Sequence, residues 1–412
     1  MGTKANTFFT KAIPIAWAMG IMLSPDTLAL LGNFVGKTGW TGLCLILGSM
    51  VIFFIHAANY QILNQKIGET DFLMSRLGQL VVYLPGSTRG FAAIFLSTGI
   101  LVSSGFVFNE VFFHWFPNFG FAILLLGILL GIHLTDISIG FKAQVIFVAL
   151  TVAGLLILIL TGIFTPGTQA VPPWLLIPDR SILFFGLFLW VGFDLGTFAL
   201  DQNGGRSGKK KMTGTLVWTI GGTGVLFLLW AMVSIQHVPL VKLVSTSLPH
   251  LKTARYLLGD TGRWIMGGII IFGTLGAVNG LFLACRVNAD EMTGHGLLPQ
   301  WIKKQGVVPI FLALAIGLMM AKGMAGSDKL EIWIRAIFLV WLFSYGLISL
   351  GFLTRQVSLA NLTASIITLT GVCFLLLSGE DRSLQLICFC LTLGAGLLPG
   401  LVFTWKSSRQ KG

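Results

Sequence analysis

The chain alternates long apolar runs with short polar segments along most of its length. Of its 412 residues, 55% are hydrophobic and 10% are charged, whereas a soluble domain carries about 25% charged residues. Hydropathy averaged over about 19 residues, close to the length of a helix that crosses a bilayer, locates the membrane spans. It predicts twelve spans, at 12–33, 39–62, 90–113, 119–134, 143–164, 180–200, 213–236, 264–288, 307–322, 331–352, 358–378 and 384–404. The pattern therefore predicts an all-α polytopic membrane protein.

The sixth apolar run carries a carboxylate, Asp194, near its centre. A carboxylate at mid-bilayer costs about 2.5–3.5 kcal/mol on an insertion scale. Gly192 and Gly196 on either side make a continuous helix less favourable. We therefore expect the helix to unwind here, so that freed backbone groups and Asp194 face a cavity. The alternative is an intact helix in which Asp194 meets a partner inside the helix bundle.

The first apolar run is interrupted as well. Gly20 is followed by Ser24 and Pro25, and a proline cannot donate to the helix ladder. The two interrupted runs are five spans apart, and an odd separation reverses their direction across the membrane, as in an inverted repeat with its ligand site at the two breaks. The alternative is that Pro14 and Pro25 are ordinary kinks. The predicted units are 1–164 for the first repeat, 180–352 for the second, and 358–404 for two additional C-terminal spans.

The formal net charge of +12 reflects basic loops, because no basic patch alternates with aromatic residues on a soluble domain. Placing both termini on one side gives that side 17 of the 27 Lys and Arg residues, with 206–211 as the strongest contributor. This bias predicts cytoplasmic termini in a cell membrane. The connection 63–89, whose charges include Glu69 and Arg89, is predicted to contain an amphipathic surface helix. The connection 238–263 is predicted to form a short helical hairpin that caps one face.

The sequence offers no pattern for enzymatic chemistry. It has no Gly-rich phosphate loop, no His, Cys and carboxylate cluster with metal spacing, and no paired nucleophile and base. We therefore predict no catalytic residue, no metal site and no cofactor. The expected partners are the lipid bilayer and a small-molecule substrate, and not nucleic acid.

Three stretches resemble the amino acid–polyamine–organocation transporter superfamily. The clearest is 273–280 with its Gly-x-Val-Asn-Gly core, followed by Arg286 and by Gly-Leu-Leu-Pro at 296–299. It is similar to span 8 and the next loop in that superfamily, while 190–201 and 136–144 resemble its spans 6 and 5. The resemblance implies a LeuT-like five-plus-five inverted repeat with broken helices 1 and 6 and two further C-terminal helices. It also implies a secondary carrier for amino acids or related amines.

The resemblance implies a substrate site as well. In that superfamily free amides at the span 1 break hold the substrate carboxylate, and carbonyls at both breaks hold its amine. The matching positions here are Met19, Gly20, Ile21, Val191, Gly192, Phe193 and Asp194. Met19 is bulky where relatives carry a small residue, and only one of their two glycines is present.

Four residues are candidates for coupling or gating near the breaks and the external face. Asp194 could exchange a proton for a cationic substrate group, or could cap the loose backbone of the break. Glu110, late in span 3, could serve as a gate or proton site, or as an interfacial carboxylate. Phe188 and Trp190 could form an aromatic lid with Phe193, or could be ordinary core residues.

Two further candidates lie in spans 5 and 8. Thr151 matches the position at which some relatives carry a lysine in place of a sodium ion. Its hydroxyl suits a sodium site, or else bonds back along its own helix. Asn279, with Gly276 and Gly280 at helical spacing, gives span 8 a small polar face for close helix packing or for a cavity beside span 1.

The function predicted from the sequence is a secondary transporter for amino acids or closely related amines, working by alternating access. Proton-coupled symport or exchange is expected, with sodium as the alternative ion. A second hypothesis is a non-transporting membrane sensor or partner subunit that retains the fold. It is motivated by Met19 and by 201–203, where the acidic exit from span 6 lacks the proline found in relatives.

Overall fold

The computed structural model describes residues 2–66, 68–167, 181–198, 214–353, 358–378 and 381–409. Within these ranges the backbone forms 15 α-helices. The first seven are α1 (Gly2–Met22), α2 (Pro25–Thr38), α3 (Trp40–Lys66), α4 (Glu69–Arg76), α5 (Tyr83–Val111), α6 (Asn118–Leu134) and α7 (Ile137–Phe164). Span 6 follows as α8 (Ile182–Phe185) and two 3-10 segments, Gly186–Trp190 and Phe193–Leu195. The remaining helices are α9 (Thr215–His237), α10 (Leu240–Val244), α11 (Pro249–Gly294), α12 (Val307–Ala321), α13 (Asp328–Leu353), α14 (Leu359–Leu377) and α15 (Arg382–Arg409).

The helices account for every predicted span. Eight are long and apolar enough to cross a membrane, and α1 with α2 forms a ninth span bent by 55°. Three shorter apolar helical segments, Asn118–Leu134, Ile182–Phe198 and Val307–Ala321, coincide with predicted spans 4, 6 and 9. The chain is a multi-pass membrane protein, and the all-α fold class is confirmed.

The order of the spans defines two faces. We call the face at which α1 begins and α15 ends the terminal face, and the other the opposite face. Because successive spans alternate in direction, α4 lies at the terminal face, while α10 and the start of α11 lie at the opposite face. Side-chain contacts agree with this order: the Tyr83 hydroxyl donates to the Leu297 carbonyl at the terminal face.

Span 1 breaks at the proline, one turn later than the superfamily resemblance implies. Helix α1 is continuous to Met22, so Met19, Gly20 and Ile21 lie inside it rather than in an unwound segment. The second half starts at Pro25, and the Ser24 hydroxyl caps it by accepting from the Thr27 amide at 3.3 Å. The placement of free amides at residues 19–21 is therefore wrong, and Pro25 sets the break because it cannot continue the helix.

Span 6 breaks where the glycine pattern predicts. After the 3-10 segment Gly186–Trp190, Val191 is extended with φ −60° and ψ 132°. Gly192 then adopts the left-handed conformation with φ 94° and ψ −2°, which is favourable only for residues such as glycine. A short second 3-10 segment follows at Phe193–Leu195. The broken-helix interpretation of span 6 is confirmed.

Spans 1, 5 and 8 pack tightly around small residues and one amide pair. An added Cβ at Gly20 would contact the Gln144 side-chain nitrogen and lie 3.0 Å from the Gly276 carbonyl oxygen. The Asn279 side-chain nitrogen donates to Gln144 Oε1 at 2.7 Å, and Gln144 Nε2 donates to the Ala16 carbonyl at 3.1 Å. The polar face of span 8 therefore joins α11 and α7 to the first half of span 1.

The connection 63–89 contains the helix predicted for it, α4, with Phe72 and Leu73 buried and Ser75 and Arg76 exposed, but two of its charges are buried. Span 3 begins at Tyr83 rather than at residue 90, so Arg89 lies inside α5 and is 1% exposed. Helix α4 buries Glu69 together with Phe72 and Leu73. Hydropathy did not reveal the burial of Glu69 and Arg89, because it counts a charge as exposed, whereas these two charges are paired inside the protein.

The connection 238–263 forms two short helical pieces, as predicted. Helix α10 is followed by the first turns of α11, which are separated from span 8 by a bend at Gly259, where φ is 60°. Both pieces pack on α2: an added Cβ at Gly36 would lie 2.8 Å from Leu243 Cβ, and one at Gly32 would lie 2.6 Å from Pro249 Cβ. These contacts hold the second half of span 1 at the opposite face.

Three elements of the sequence prediction lie outside the described residues. They are the basic segment 206–211, the acidic exit at 201–203, and the start of the second repeat at residue 180.

Candidate functional site

The Asp194 carboxylate pairs with Arg89 rather than facing open space. Arg89 Nη2 lies 2.6 Å from Asp194 Oδ2, and Arg89 Nε donates to the same oxygen at 3.1 Å. The Arg89 side chain is 1% exposed and the Asp194 side chain is fully buried. Burial of one charge alone is expensive, but an opposite charge with hydrogen bonds offsets most of that cost. The break of span 6 is therefore fixed to α5 by an ion pair, so the expected cavity at Asp194 is not what the structure shows.

A second carboxylate, Glu69 of α4, shares the same guanidinium nitrogen. Arg89 Nη2 lies 3.0 Å from Glu69 Oε1 and 2.9 Å from Oε2. The Tyr60 hydroxyl, on α3, makes a long hydrogen bond of 3.4 Å to Glu69 Oε1. Three elements, α3, α4 and α5, thus meet span 6 at one buried group of charges.

Tyr345 of α13 joins the ion pair to the unwound backbone. Its hydroxyl donates to Asp194 Oδ1 at 2.6 Å and accepts from the Gly192 amide at 3.1 Å. The Thr197 hydroxyl donates to the Asp194 carbonyl at 2.6 Å. Tyr345 therefore satisfies a backbone group that the break releases, and it orients the carboxylate of Asp194 at the same time.

Aromatic rings surround these polar groups. The Phe193 ring lies 4.9 Å from the Tyr345 ring and 5.4 Å from the Tyr60 ring, measured between centroids. The Arg89 guanidinium carbon lies 4.7 Å from the centroid of the Phe198 ring. This apolar packing excludes water and strengthens the electrostatic interactions inside it. We call Arg89, Asp194, Glu69, Tyr60 and Tyr345 the terminal network, because they join span 6 to α3, α4, α5 and α13 on the side of the terminal face.

The protonation of Glu69 is unusual for a surface connection. It belongs to α4, outside the membrane-spanning helices, yet its side chain is 8% exposed. Burial raises the pKa of the Glu69 carboxyl to about 7; Arg89 opposes this shift, while Asp194 and Glu291 add to it. The surroundings of Glu69 therefore favour its neutral form more than those of an exposed glutamate do.

A cavity of about 500 Å³ lies on the other side of the break, toward the opposite face. It is lined by the first turns of α2, the middle of α5, the first half of span 6 and the start of α13. Asp26, Asp328 and Glu331 contribute three carboxylates to its lining, against the single cation Arg335 among the described lining residues. Phe185, Phe188 and Phe338 give it an aromatic wall. Asp328 and Glu331 are exposed, so the cavity opens to the opposite face.

The structure brings the two predicted breaks together. An added Cβ at Gly192 would lie 2.8 Å from Ile21 Cβ, so Ile21 and Gly192 are in direct contact. Met19, Gly20 and Ile21 lie in α1, while Val191, Gly192, Phe193 and Asp194 lie in the broken part of span 6. The described lining of the cavity includes Phe188 but none of these seven residues, and Asp194 belongs to the terminal network instead. Their role in substrate binding remains a prediction.

The other candidates occupy separate places. Trp190 is fully buried and donates to the Ser49 hydroxyl of α3 at 2.9 Å, which makes it an anchor of span 6 rather than a lid. The Thr151 hydroxyl donates back to the Phe147 carbonyl of its own helix at 2.9 Å. Asn279 holds spans 5 and 8 together. Glu110 is exposed at the end of α5, where its backbone carbonyl accepts from Arg263, and it contacts neither the cavity nor the network.

Sequence reasoning missed Arg89, Glu69 and Tyr345. A usable signal existed for Arg89, since a carboxylate at mid-span demands a cation, and Arg89 directly precedes the apolar run predicted as span 3. No comparable signal singled out Glu69 or Tyr345, because their partners are distant in sequence.

Comparison with known proteins identifies the fold. No protein-family model matches the chain, and no curated protein matches it. The structure of Mhp1, a nucleobase-cation-symport-1 family transporter in a closed conformation with bromovinylhydantoin bound, is similar with a TM-score of 0.60 at 11% identity, covering 94% of this chain and 93% of Mhp1. A manganese transporter of Eremococcus coleocola is similar with a TM-score of 0.59 at 13% identity, covering 99% and 96% of the two chains. A structure of that transporter with an aromatic bis-isothiourea substituted compound gives a TM-score of 0.58 at 13% identity, covering 100% and 97%.

At such low identity this likeness shows the fold. The chain has the LeuT-like architecture, with a five-plus-five inverted repeat, broken helices 1 and 6, and two further C-terminal helices. The predicted fold class is confirmed at this level. Membership of the amino acid–polyamine–organocation superfamily remains a prediction.

Proposed function

We propose that the chain is a secondary transporter that works by alternating access. One observation supports this best: the 500 Å³ cavity reaches the two broken spans from the opposite face, while the buried terminal network closes the path to the other face. A carrier needs two such states, each open on one side of a central site. The structure corresponds to the state that is open at the opposite face. With cytoplasmic termini, as the Lys and Arg bias predicts, that face is external.

The substrate that we propose is an amino acid or a closely related amine. Three carboxylates against one described cation in the cavity lining favour a group with positive charge. An amino acid would place its ammonium among Asp26, Asp328 and Glu331, and its carboxylate beside Arg335. The aromatic wall favours an apolar side chain. The resemblance of spans 5, 6 and 8 to the amino acid–polyamine–organocation superfamily supports the same choice.

Proton-coupled symport or exchange is the mode that we propose, with sodium as the alternative ion. Among the described residues no three His, Cys, Asp or Glu side chains converge as metal ligands. This arrangement favours an organic substrate over the manganese named for one structural neighbour. The cavity volume also suits an organic molecule, since small-ligand sites span about 300–1,000 Å³.

Uptake into proteoliposomes tests the proposal. A mixture of labelled amino acids would be offered with and without an inward proton gradient, in the presence and absence of sodium. Labelled hydantoin and Mn²⁺ serve as separate arms. Gradient-driven accumulation of amino acids is the expected result. Binding without flux would favour the sensor hypothesis, and accumulation of hydantoin or Mn²⁺ alone would contradict the amine assignment.

Neutralising the cavity should weaken transport of cationic amines. The double substitution Asp328→Asn and Glu331→Gln removes two carboxylates from the lining. A lost charge-assisted contact is worth about 1.5–3 kcal/mol, so we expect kcat/KM for uptake to fall about tenfold or more. The matched control is Asp260→Asn, whose carboxylate is 75% exposed on the same face and is not among the cavity lining residues. Equal uptake by the double variant and the control would contradict the assignment of the cavity.

A further inference from the structure

The terminal network holds more negative charge than positive charge. Arg89 Nη2 contacts both Glu69 oxygens and also Asp194 Oδ2, so two carboxylates approach a single guanidinium nitrogen. Like charges this close in a buried site disfavour ionisation of both. A proton bound to one of the two carboxylates removes the excess.

The hydrogen bonds decide which carboxylate carries that proton. The Asp194 carboxylate accepts hydrogen bonds from two nitrogens of Arg89 and from the Tyr345 hydroxyl. Glu69 receives only Arg89 Nη2 and the long hydrogen bond from Tyr60. Glu69 also lies at the terminal-face end of the network, where its side chain retains 8% exposure and so has a route to water.

Four charged or titratable groups act on Glu69. They are Arg89 from α5, Asp194 from span 6, Tyr60 from α3 and Glu291 from α11. Helix α13 packs on α4 through Phe352, which stacks on Phe72. Within this described set Arg89 is the one cation, and Asp194 and Glu291 both favour a neutral Glu69. The raised pKa of Glu69 follows from the same geometry.

We propose that Glu69 is a proton-binding site that takes up one proton when Asp194 pairs with Arg89, so that acid at the terminal face holds that face closed. The inference rests on the proposed function, because it regulates the same transport cycle. To open the terminal face, span 6 must carry Asp194 away from Arg89. Arg89 then pairs with Glu69 alone, so Glu69 ionises and releases its proton to water at the terminal face.

The sign of the pH effect follows from linkage. In the closed state burial raises the pKa of the Glu69 carboxyl to about 7. In the open state Glu69 pairs with Arg89 alone, so its pKa is lower. The closed state therefore binds one proton more than the open state between the two pKa values, and this stabilisation of the closed state is lost as the pH rises through about 7. The ratio of closed to open molecules should change by up to about tenfold per pH unit in this window.

Distances between spin labels at the terminal face test this proposal without any substrate. Trp218→Cys at the start of α9 and Trp301→Cys after α11 place nitroxides at two exposed positions, once the five native cysteines are replaced. The full-length protein in lipid nanodiscs is measured by pulsed electron paramagnetic resonance from pH 5 to 8. A second population of distances should grow as the pH rises through about 7.

Two variants identify the titrating group. Glu69→Gln mimics the protonated carboxyl, so the population present at low pH should persist at every pH. Asp71→Asn is the matched control on the same helix, since its carboxylate lies 3.8 Å from His295 and is 48% exposed; its pH response should equal that of the unmodified chain. A distribution that does not change with pH would overturn the proposal. So would a pH response that survives Glu69→Gln or disappears in Asp71→Asn.

The result of the spin-label experiment is independent of the result of the transport experiment. A chain that transports but shows no pH-dependent distance contradicts only the Glu69 site. A chain that shows the Glu69-dependent shift without any flux supports the site and contradicts the transporter assignment.

Discussion

Replacing Arg89 with alanine should be among the most damaging single substitutions in this chain. It leaves Asp194 and Glu69 buried at 0% and 8% side-chain exposure without their cation. Removal of one partner from a buried ion pair costs about 3–5 kcal/mol, because the remaining charge is uncompensated. We expect the melting temperature in detergent to fall by several degrees and transport to be lost. Thermal unfolding followed by circular dichroism or intrinsic fluorescence measures the first effect.

The controls for Arg89→Ala separate charge from general damage. Arg255→Ala removes an exposed arginine of α11 and should change stability by at most about 0.5 kcal/mol. Adding Asp194→Asn and Glu69→Gln to Arg89→Ala removes the stranded charges, so the triple variant should be more stable than Arg89→Ala alone. A triple variant less stable than the single one would show that the network does not act as a unit.

Replacing Gly192 with alanine should separate the two broken spans and stop transport. The left-handed backbone at Gly192 costs an L-residue about 1–2 kcal/mol. An added Cβ would in addition meet Ile21 Cβ at 2.8 Å, where well-packed cores lose about 1–3 kcal/mol. Because spans 1 and 6 must stay in register during alternating access, uptake by proteoliposomes should fall at least about tenfold.

A second variant at Gly192 separates the effect of backbone strain from the effect of the steric clash with Ile21. Asparagine tolerates the left-handed conformation, so Gly192→Asn keeps the clash with Ile21 while reducing the backbone strain. Gly222→Ala on α9 is the matched control, since nothing lies within 4 Å of its added Cβ and alanine favours a helix. Normal uptake by Gly192→Ala would contradict a functional contact between the breaks.

The fold was largely predictable because membrane spans obey local rules. Hydropathy over one helix length places each span, and Pro25 and Gly192 locate the two breaks through backbone restrictions that act at single residues. The division of the chain at residues 164, 180, 352 and 358 remains a prediction. The superfamily match predicted the span 6 break well, but it misplaced the span 1 break, because α1 continues through Gly20 and ends only before Pro25.

The site was less predictable because its contacts join distant parts of the chain. Arg89 and Asp194 are 105 positions apart, and Tyr345 is a further 151 positions from Asp194. Counting charges by loop assigned Arg89 and Glu69 to the surface, whereas packing brings them to the carboxylate that needed a partner. Two predictions for span 6 each hold in part. The Asp194 side chain meets a partner inside the helix bundle, as the intact-helix alternative stated, and the backbone unwinds, as the broken-helix prediction stated.

The most direct test of alternating access determines from which side of the membrane the centre of the protein can be reached. In a cysteine-free background, Ser103→Cys places a thiol in the cavity lining, and Thr197→Cys places one beside the terminal network. A membrane-impermeant maleimide is applied to either side of oriented vesicles. We expect labelling of Ser103→Cys from the opposite face alone and slow labelling of Thr197→Cys from both sides. Rapid labelling of Thr197→Cys from the opposite face, or of Ser103→Cys from the terminal face, would contradict a centre that is open at one face and closed at the other.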